Sequence, residues 1–251
     1  TLGCVTRVGA QSEQDGARFV RMGADPERVV VTGNLKFDAG LPDDFDKRLD
    51  LLRARLGGQR QVWTAGSTHR GEERQLLQAH RRVLQRVPGA LLLLVPRHPE
   101  RAGELASLCA GAGLGCRLYS DTVAAGSSEP VLIVDVLGEL AVCYGVSAAA
   151  FVGGSLVDSG GHNPLEALLA GAPVVSGPHV ENFYLIYRGL LEQGAVKRIG
   201  TDAELAQTVV DWFGDATRRD KRVAAGRRVI DAQRGAVQRT LELLDSVVPS
   251  E

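Results

Sequence analysis

The sequence predicts an α/β protein built on a doubly wound parallel sheet, and three observations carry that prediction. Short runs that are apolar throughout, such as 90–96 and 131–135, alternate with longer amphipathic segments. Strands that are apolar on both faces are typical of parallel sheets covered by helices on both sides. The 30 glycines and an aromatic content of only 5% indicate frequent tight turns and an aliphatic core. We therefore expect a Rossmann-like domain.

The predicted elements follow one another along the whole chain. In order, the predicted strands are 4–10, 28–33, 61–66, 90–96, 131–135, 149–154 and 173–177. The segment 71–87 carries apolar residues at helical spacing, which predicts a helix between the third and fourth strands. Residues 216–248 predict one or two closing helices.

These elements divide the chain into four segments. Residues 1–34 predict a β-α-β piece, and 35–44 have the polar, Gly- and Pro-containing character of a connector. Residues 45–230 predict the doubly wound domain, and 231–251 a C-terminal helix. The chain opens with Thr1 instead of Met, so we expect that an N-terminal part is missing.

Charge and cysteine content exclude several classes of protein. The net charge of -1, from 29 basic and 30 acidic side chains, lacks the one-signed excess typical of nucleic-acid or membrane-surface binders. The four cysteines fit no zinc spacing and the five histidines are scattered, so we predict no metal site. The longest apolar run, 89–96, is too short to span a bilayer, which takes about 20 residues.

Ligands of open parallel sheets bind beyond the carboxyl ends of the strands, so the residues that follow each strand are the candidates for a site. After the strand 61–66 come Ser67, Thr68 and His69. Capping of the next helix explains Ser67 and Glu72 as well as ligand binding does, whereas a cap does not need His69.

The segment after the strand 90–96 is the second candidate. Prolines bracket Arg97 and His98 in a rigid extended turn. Arginine can hold a phosphate with two parallel hydrogen bonds. The alternative is a surface ion pair between Arg97 and Glu100 or Glu104.

The third candidate follows the strand 131–135. Gly138 permits close backbone approach to a ligand such as a base edge. Glu139 is either a ligand contact or a carboxylate that stabilises the start of a short helix.

The strongest candidate is the loop after the strand 149–154. Two glycine pairs, 153–154 and 160–161, flank the loop. Asn163 and Pro164 then form a helix start signal, and Glu166 lies where a capping box would place it. Capping alone does not require four glycines and His162, so we favour a loop whose backbone N–H groups approach a phosphate while Glu166 accepts hydrogen bonds from ribose hydroxyls.

Together these motifs resemble the 3-deoxy-D-manno-octulosonic acid (Kdo) transferases of lipopolysaccharide synthesis. The matching segments are 11-QSEQDGARF-19, 32-TGNLKFD-38, 65-AGSTHRGEE-73, 95-VPRHPER-101, 138-GEL-140, 151-FVGGSLV-157, 160-GGHNPLEA-167 and 181-ENF-183. Each is weak singly, but their order along the chain is specific.

The resemblance implies the C-terminal, donor-binding half of a two-domain GT-B glycosyltransferase. Residues 1–34 would then be the last β-α-β element of an N-terminal acceptor domain. The implied nucleotide contacts are Pro96, Arg97, Leu137, Gly138, Glu139, Asn163, Pro164, Leu165 and Glu166. The implied contacts to the donor sugar or phosphate are Lys36, Ser67, Thr68, His69, His98, Gly153, Gly154, Ser155, Gly161 and His162.

The implied reaction is inverting, metal-independent transfer of Kdo from CMP-Kdo to a lipid A precursor, without a cofactor. The family's catalytic base is a glutamate early in the N-terminal domain, so we assign no catalytic base on this chain. Asp44 and Asp46 match a metal-binding Asp-x-Asp pattern of another glycosyltransferase class, but we interpret them as a helix start. We expect a protein at the cytoplasmic face of a Gram-negative inner membrane, in peripheral contact with the membrane, of which this chain would be a soluble fragment.

Two other functions remain open from the sequence. One is a different GT-B enzyme that acts on UDP-sugars, either a transferase or an epimerase. The other is a nucleotide-binding domain without activity of its own.

Overall fold

A computed structural model describes residues 2–57, 60–121 and 128–247. The strands in these ranges are β1 (Val8–Ala10), β2 (Val29–Val31), β3 (Val62–Thr68), β4 (Leu91–Pro96), β5 (Cys116–Leu118), β6 (Val131–Ile133), β7 (Ala149–Val152), β8 (Val174–Ser176) and β9 (Val196–Arg198). The α-helices are α1 (Glu13–Arg21), α2 (Phe45–Leu56), α3 (Glu73–Arg86), α4 (Ala102–Gly111), α5 (Leu140–Gly145), α6 (Leu165–Leu169), α7 (Tyr184–Glu192), α8 (Asp202–Gly214), α9 (Ala216–Gln233) and α10 (Ala236–Asp245).

The chain forms two compact units. The first unit consists of Thr1–Gly40 together with Arg228–Glu251, and the second of Leu41–Arg227. In the first unit, β1 and β2 pair in parallel and α1 connects them. The β-α-β piece predicted for residues 1–34 is thus present, although β1 is shorter than the predicted strand 4–10.

The C-terminal segment belongs to the first unit. The Asp38 carboxylate accepts hydrogen bonds from the backbone N–H groups of Gly235 (2.7 Å) and Val237 (2.6 Å) at the start of α10. The Arg239 side chain donates to the carbonyl oxygen of Thr32 (2.8 Å). The sequence predicted the C-terminal helix but not these contacts with residues 32–38. Residues 248–251 of the predicted helical segment lie outside the described residues.

The second unit is built on a seven-stranded parallel sheet in the order β5-β6-β4-β3-β7-β8-β9. The chain enters at the central strand β3, winds out to one edge, and returns beside β3 to wind out to the other. This is the doubly wound arrangement that the alternation of apolar strands and helices predicted.

The centre of the sheet is buried on both faces, and every residue of β4 and β7 is apolar and buried. Leu92 and Leu94 of β4 pack into a cluster with residues of α3, α4 and α8, whereas Leu91 and Leu93 pack on the other face with α2 and α5. All four leucines are at most 1% exposed. Helices therefore cover both faces of the sheet.

Three elements differ from the prediction. The two edge strands, β5 and β9, were not predicted. The third predicted strand, 61–66, extends to Thr68, with a register shift between Gly66 and Thr68. Ser67 lies at this irregularity with a φ of 53°. Ser67 and Thr68 consequently end a strand and do not cap α3.

Candidate functional site

The sheet order defines where a ligand is expected to bind. Strand β3 lies between β4, which follows it in the chain, and β7, which comes after the chain has crossed back. Loops that leave neighbouring strands in opposite directions open a crevice at the carboxyl ends of such a pair. We call the space beyond the carboxyl ends of β6, β4, β3 and β7 the switch-point crevice.

The loop after β3 reaches this crevice with His69. The His69 ring stacks on the His162 ring with centroids 4.9 Å apart, and their Nε2 atoms are 2.7 Å apart. At this distance one ring donates a proton and the other accepts it, so at least one of the two histidines is neutral. The structure thereby joins two predicted residues from loops 93 positions apart.

The electrostatic surroundings keep this histidine pair uncharged near neutral pH. Burial, followed by the neighbouring His69 and Arg97, lowers the pKa of His162 to about 4. Burial is also the main cause that lowers the pKa of His69, with His98 next. An anion bound beside the pair would favour the protonated form and would raise both pKa values.

The loop after β3 is also held by Glu72, whose side chain is fully buried. The Glu72 carboxylate accepts hydrogen bonds from the backbone N–H groups of His69 (2.8 Å), Gly154 (2.7 Å) and Leu156 (3.3 Å). The sequence predicted that Glu72 favours the first turn of α3, but Glu72 makes no side-chain capping bond there. A capping bond, one of the two interpretations left open for Glu72, is therefore not found, and the carboxylate binds the loop before α3 and a second loop 82 residues away.

Ser67 and Thr68, which were also predicted in this loop, belong to the end of β3. Thr68 is fully buried, and its hydroxyl donates to the Glu73 carboxylate (3.3 Å). The Ser67 backbone carbonyl lies so close to Gly153 that a Cβ atom at position 153 would collide with it. Gly153 thus allows the ends of β3 and β7 to approach each other.

The loop after β4 presents Arg97. Its backbone N–H donates to the Thr68 carbonyl oxygen (3.0 Å), and its side chain is exposed. Within the described residues Arg97 has no ion pair, because Glu104 binds Arg70 and Arg101, and Glu100 lies 3.4 Å from His98. The alternative of a surface pair between Arg97 and Glu100 or Glu104 is therefore not found.

The loop after β6 is fixed by Arg48 of α2. The Arg48 guanidinium binds the Glu139 carboxylate (2.9 Å) and the Gly138 carbonyl oxygen (2.7 Å). Gly138 has a φ of 84°, which side chains rarely adopt, and Leu137 is 79% exposed. The Glu139 carboxylate is engaged by Arg48, so the groups this loop offers to a ligand are mainly backbone atoms and Leu137.

The loop after β7 is shaped by its glycines. Gly154, Gly160 and Gly161 all have positive φ values, between 66° and 77°. Ser155, which the resemblance implied as a donor contact, is fully buried. Its hydroxyl donates to the Val152 carbonyl oxygen (2.6 Å) and accepts from the Gly177 N–H (2.8 Å), so Ser155 holds the loop.

The start of α6 differs slightly from a capping box. The Asn163 side chain accepts a hydrogen bond from the Leu165 N–H (3.1 Å), and Pro164 precedes the first helical residue. No hydrogen bond from Glu166 back to Asn163 is present. Burial raises the pKa of the Glu166 carboxyl, and within the described part of the chain this carboxylate has no ion pair. A carboxylate of this kind is suited to accept hydrogen bonds from a ligand.

Three residues complete the placement of the sequence-predicted site. His98 is 58% exposed. Lys36 lies in the first unit, in the 3-10 turn Leu35–Asp38. The Asn182 amide, in the matching segment 181–183, donates to the Ser159 carbonyl oxygen (3.0 Å) and so supports the loop before α6.

Known proteins give an independent test of the predicted family. A family model described as 3-deoxy-D-manno-octulosonic-acid transferase (kdotransferase) matches residues 1–39. Kdo transferases from Haemophilus influenzae and Bordetella pertussis are each 38% identical to this chain, over 96% and 97% of it. A crystal structure of the C-terminal CMP-Kdo binding domain of WaaA from Acinetobacter baumannii is 31% identical, with a TM-score of 0.70, and the match covers 97% of that domain and 74% of this chain. This chain belongs to the Kdo transferase family.

The match to Kdo transferases is partial in length. This chain spans 56% and 57% of the two bacterial Kdo transferases. The glycosyltransferase WaaG, at 13% identity and a TM-score of 0.59, shares the fold. The predicted α/β fold, the C-terminal part of the GT-B architecture, is thereby confirmed.

Two further predictions concern metals and membranes. Within the described residues, no group of three or more His, Cys, Asp or Glu side chains is arranged to hold a metal ion. Asp44 instead lies next to the first residue of α2, 3.6 Å from Arg48. Over the same residues, every helix is too short or too polar to cross a bilayer.

Proposed function

We propose that this chain is the donor-binding part of an enzyme that transfers Kdo from CMP-Kdo to a lipid A precursor. The observation that carries the proposal is Arg97, an arginine without an ion pair among the described residues, at the carboxyl end of β4. An arginine at this position is suited to bind the phosphate of a nucleotide. The similar WaaA domain, which is named for CMP-Kdo binding, supports CMP-Kdo as that nucleotide.

The phosphate of CMP would bind beside Arg97 and the histidine pair. Arg97 contributes to the low pKa of both His69 and His162, which means that its charge is felt at the pair. A phosphate monoanion there would be stabilised by the guanidinium and by backbone N–H groups of the glycine loop. Negative charge that develops on the phosphate as CMP leaves would be stabilised in the same way, which lowers the transition-state energy.

The ribose and the base would bind on either side of the phosphate. The Glu166 carboxylate, without an ion pair in the described chain, would accept hydrogen bonds from ribose hydroxyls. The loop Leu137–Glu139, fixed by Arg48, would present backbone groups to the cytosine edge. Recognition through backbone atoms favours a loop of fixed conformation.

The transfer itself would be an inverting displacement without a metal or cofactor. A hydroxyl oxygen of the lipid acceptor attacks the anomeric carbon of Kdo, a base accepts the hydroxyl proton, and CMP leaves with the bonding electron pair. The resemblance to Kdo transferases assigns the base, the acceptor site and the contact with the cytoplasmic face of the inner membrane to an N-terminal domain. We therefore propose no base among the residues of this chain.

Calorimetric titration of the chain with CMP, UMP and UDP tests the donor assignment. We expect CMP to bind more tightly than UMP and UDP. Replacement of Arg97 by Ala removes a charged hydrogen-bond donor and should weaken CMP binding by about tenfold or more. Arg86→Ala is the matched control, because Arg86 is an exposed arginine at the C-terminal end of α3, the end away from the loop that follows β3.

Each other outcome contradicts part of the proposal. Tighter binding of UDP than of CMP would indicate a UDP-sugar enzyme. Equal loss of affinity in Arg97→Ala and Arg86→Ala would exclude the phosphate contact. A folded chain that binds none of the three nucleotides would exclude donor binding by this chain.

A further inference from the structure

A buried carboxylate that no step of the proposed reaction uses lies directly beneath the switch-point crevice. Glu72 is 0% exposed and accepts three backbone hydrogen bonds. Its partners are backbone N–H groups, and no cation forms an ion pair with it within the described residues. Burial raises the pKa of the Glu72 carboxyl, and the hydrogen bonds from Gly154, His69 and Leu156 oppose this rise in that order.

The three N–H groups belong to two different loops. His69 is in the loop after β3, whereas Gly154 and Leu156 are in the loop after β7. These two loops flank the point at which the winding of the sheet reverses. The two loops also contain the histidine pair of His69 and His162, and the loop after β7 leads to Asn163 and Glu166. One side chain therefore connects the two walls of the proposed donor site.

We propose that Glu72 is a positioning residue that holds the loops after β3 and β7 in the conformation that binds the donor. A carboxylate has two oxygens with about four acceptor positions, so it can bind several N–H groups that point at it from different directions. A neutral amide replaces half of these positions with N–H donors. We call the three hydrogen bonds from His69, Gly154 and Leu156 to the Glu72 carboxylate the clamp. The clamp thus depends on the carboxylate itself and not only on the volume of the side chain.

Crowding around Glu72 supports this role. A Cβ atom at Gly153 would lie 2.8 Å from the Glu72 Oε1 atom. That distance is shorter than a carbon–oxygen contact tolerates, so the loop after β7 needs glycine at this position to pass over the carboxylate. The closeness of Gly153 and Glu72 brings the Gly154 N–H into hydrogen-bonding distance.

The adjacent Glu73 shows that burial on α3 does not by itself produce the clamp. Glu73 is also buried, at 1% exposure, but its carboxylate pairs with Arg101 at 2.6 Å and binds neither loop backbone. The two glutamates share a helix start, a side-chain length and a buried environment. They differ in whether the carboxylate binds a cation or the two loops.

Removal of the Glu72 carboxylate would leave buried N–H groups in both loops without an acceptor. Such groups are costly, so the loops would move until water or another acceptor reached them. The Nε2–Nε2 contact between His69 and His162 would then lengthen. Donor affinity would fall because Arg97, the histidine pair and Glu166 would lose their mutual spacing; this consequence rests on the proposed function.

The experiment compares Glu72→Gln with Glu73→Gln in the whole chain. Both variants replace a buried carboxylate by an amide of the same shape, so both lower the urea midpoint of unfolding. Two further readouts are the Kd for CMP by calorimetry and the titration of His162, followed by NMR of the imidazole nitrogens. A role in stability alone would change neither readout in a chain that is still folded.

We expect Glu72→Gln to weaken CMP binding by about tenfold or more, since a hydrogen bond to a charged group is lost. We also expect His162 to titrate closer to 6.5 in this variant, because the buried histidine pair opens. Glu73→Gln should keep the wild-type Kd and the wild-type titration of His162, because burial, His69 and Arg97 lower the pKa of His162 and Glu73 does not act on it. The proposal is wrong if both variants change these readouts equally, or if Glu72→Gln changes neither.

The histidine titration separates failure of this proposal from failure of the proposed function. If the wild-type chain does not bind CMP, the donor assignment fails, but the NMR comparison of the two variants still decides whether Glu72 holds the loops. If Glu72→Gln does not fold, Glu72→Asp keeps the charge with a shorter reach. The clamp then predicts the same losses for Glu72→Asp, and a wild-type Kd with wild-type histidine titration would overturn it.

Discussion

His80 is a histidine whose protonation the fold opposes. It is fully buried, its Nδ1 atom accepts a hydrogen bond from Trp63 Nε1 (3.1 Å), and its Nε2 atom donates to the Pro130 carbonyl oxygen (2.8 Å). The two partners together fix the neutral tautomer. Burial lowers the pKa of His80 to about 4.

The stability of the chain should consequently fall in mild acid. Because the folded-state pKa of His80 lies below the unfolded value of about 6.5, the unfolded chain binds more protons between these values. The contribution of His80 to the free energy of unfolding is complete above pH 6.5 and is lost as the pH falls towards 4. From the difference between the two pKa values, this contribution is about 3 kcal/mol. Urea unfolding at pH 4.5, 5.5 and 7 measures this dependence.

A variant separates His80 from other titrating groups. In His80→Gln the amide can still donate to the Pro130 carbonyl but does not titrate. We expect a shallower pH dependence in this variant, with a remaining slope of the same sign from His162, whose pKa is also about 4. Equal slopes in both proteins would show that His80 is not the source.

Single residues also show what the sequence could and could not predict about the site. Arg97, Asn163 and Glu166 were predicted as site residues because they directly follow strands or glycine loops. The contacts of Glu72 with the loop after β7 were not predicted, because an acid near a helix start has a sufficient local explanation. Its partners at Gly154 and Leu156 are set by the sheet order, which a single sequence does not display.

Helices α3 and α4 are joined by an ion-pair network with a buried centre. Arg101 is 12% exposed and binds Glu73, which is 1% exposed, at 2.6 Å and Glu104 at 3.2 Å. Arg70, which is 78% exposed, also binds Glu104. The same network therefore contains one buried pair and one pair at the surface.

Loss of the buried pair should be much more costly than loss of the surface pair. Arg101→Ala leaves the Glu73 carboxylate buried without a cation, and we expect the free energy of unfolding to fall by about 3 kcal/mol or more. Arg70→Ala is the control and should change it by less than about 1 kcal/mol. Denaturant titration of the two variants measures both values, and similar losses in the two would contradict the assignment of a buried pair.

The predictability of the strands follows from their burial. β3, β4 and β7 are central strands in which every residue except Ser67 is buried, and all three were predicted. β5 and β9, with the sequences CRL and VKR, lie at the edges of the sheet and contain charged residues. Strands of three residues with mixed polarity carry no periodic signal, so they are recognised only from their neighbours.

The two compact units divide the chain unequally, and the first unit contains both ends of the sequence. Its strands are short, and its described contacts include the Asp38 and Arg239 hydrogen bonds between residues 32–38 and the start of α10. The second unit holds the seven-stranded sheet within one continuous segment. The stability of the first unit therefore depends on a part of the chain that is distant in sequence.

Removal of residues 234–251 should lower the stability of the first unit and leave the stability of the second unit unchanged. We expect backbone amides of β1 and β2 to lose at least about tenfold of their protection from hydrogen exchange, while amides of β3 and β4 remain protected. Exchange followed by mass spectrometry measures both regions in one sample. Asp38→Asn should reduce protection in the same strands by a smaller factor, and an equal loss in β4 would contradict this division.

The sheet order has a consequence for synthesis on the ribosome. The central strand β3 is made first, and β4 can pair with it as soon as it emerges, so growth starts in the middle. On one side, β5 is made before β6 but pairs only with β6, and it must wait unpaired until β6 lies beside β4. On the other side, β7, β8 and β9 each add to the strand made just before or to β3 itself. Within the described seven-stranded sheet, the segment around residues 116–118 is therefore open to a chaperone or a premature pairing partner before its own partner strand has been made.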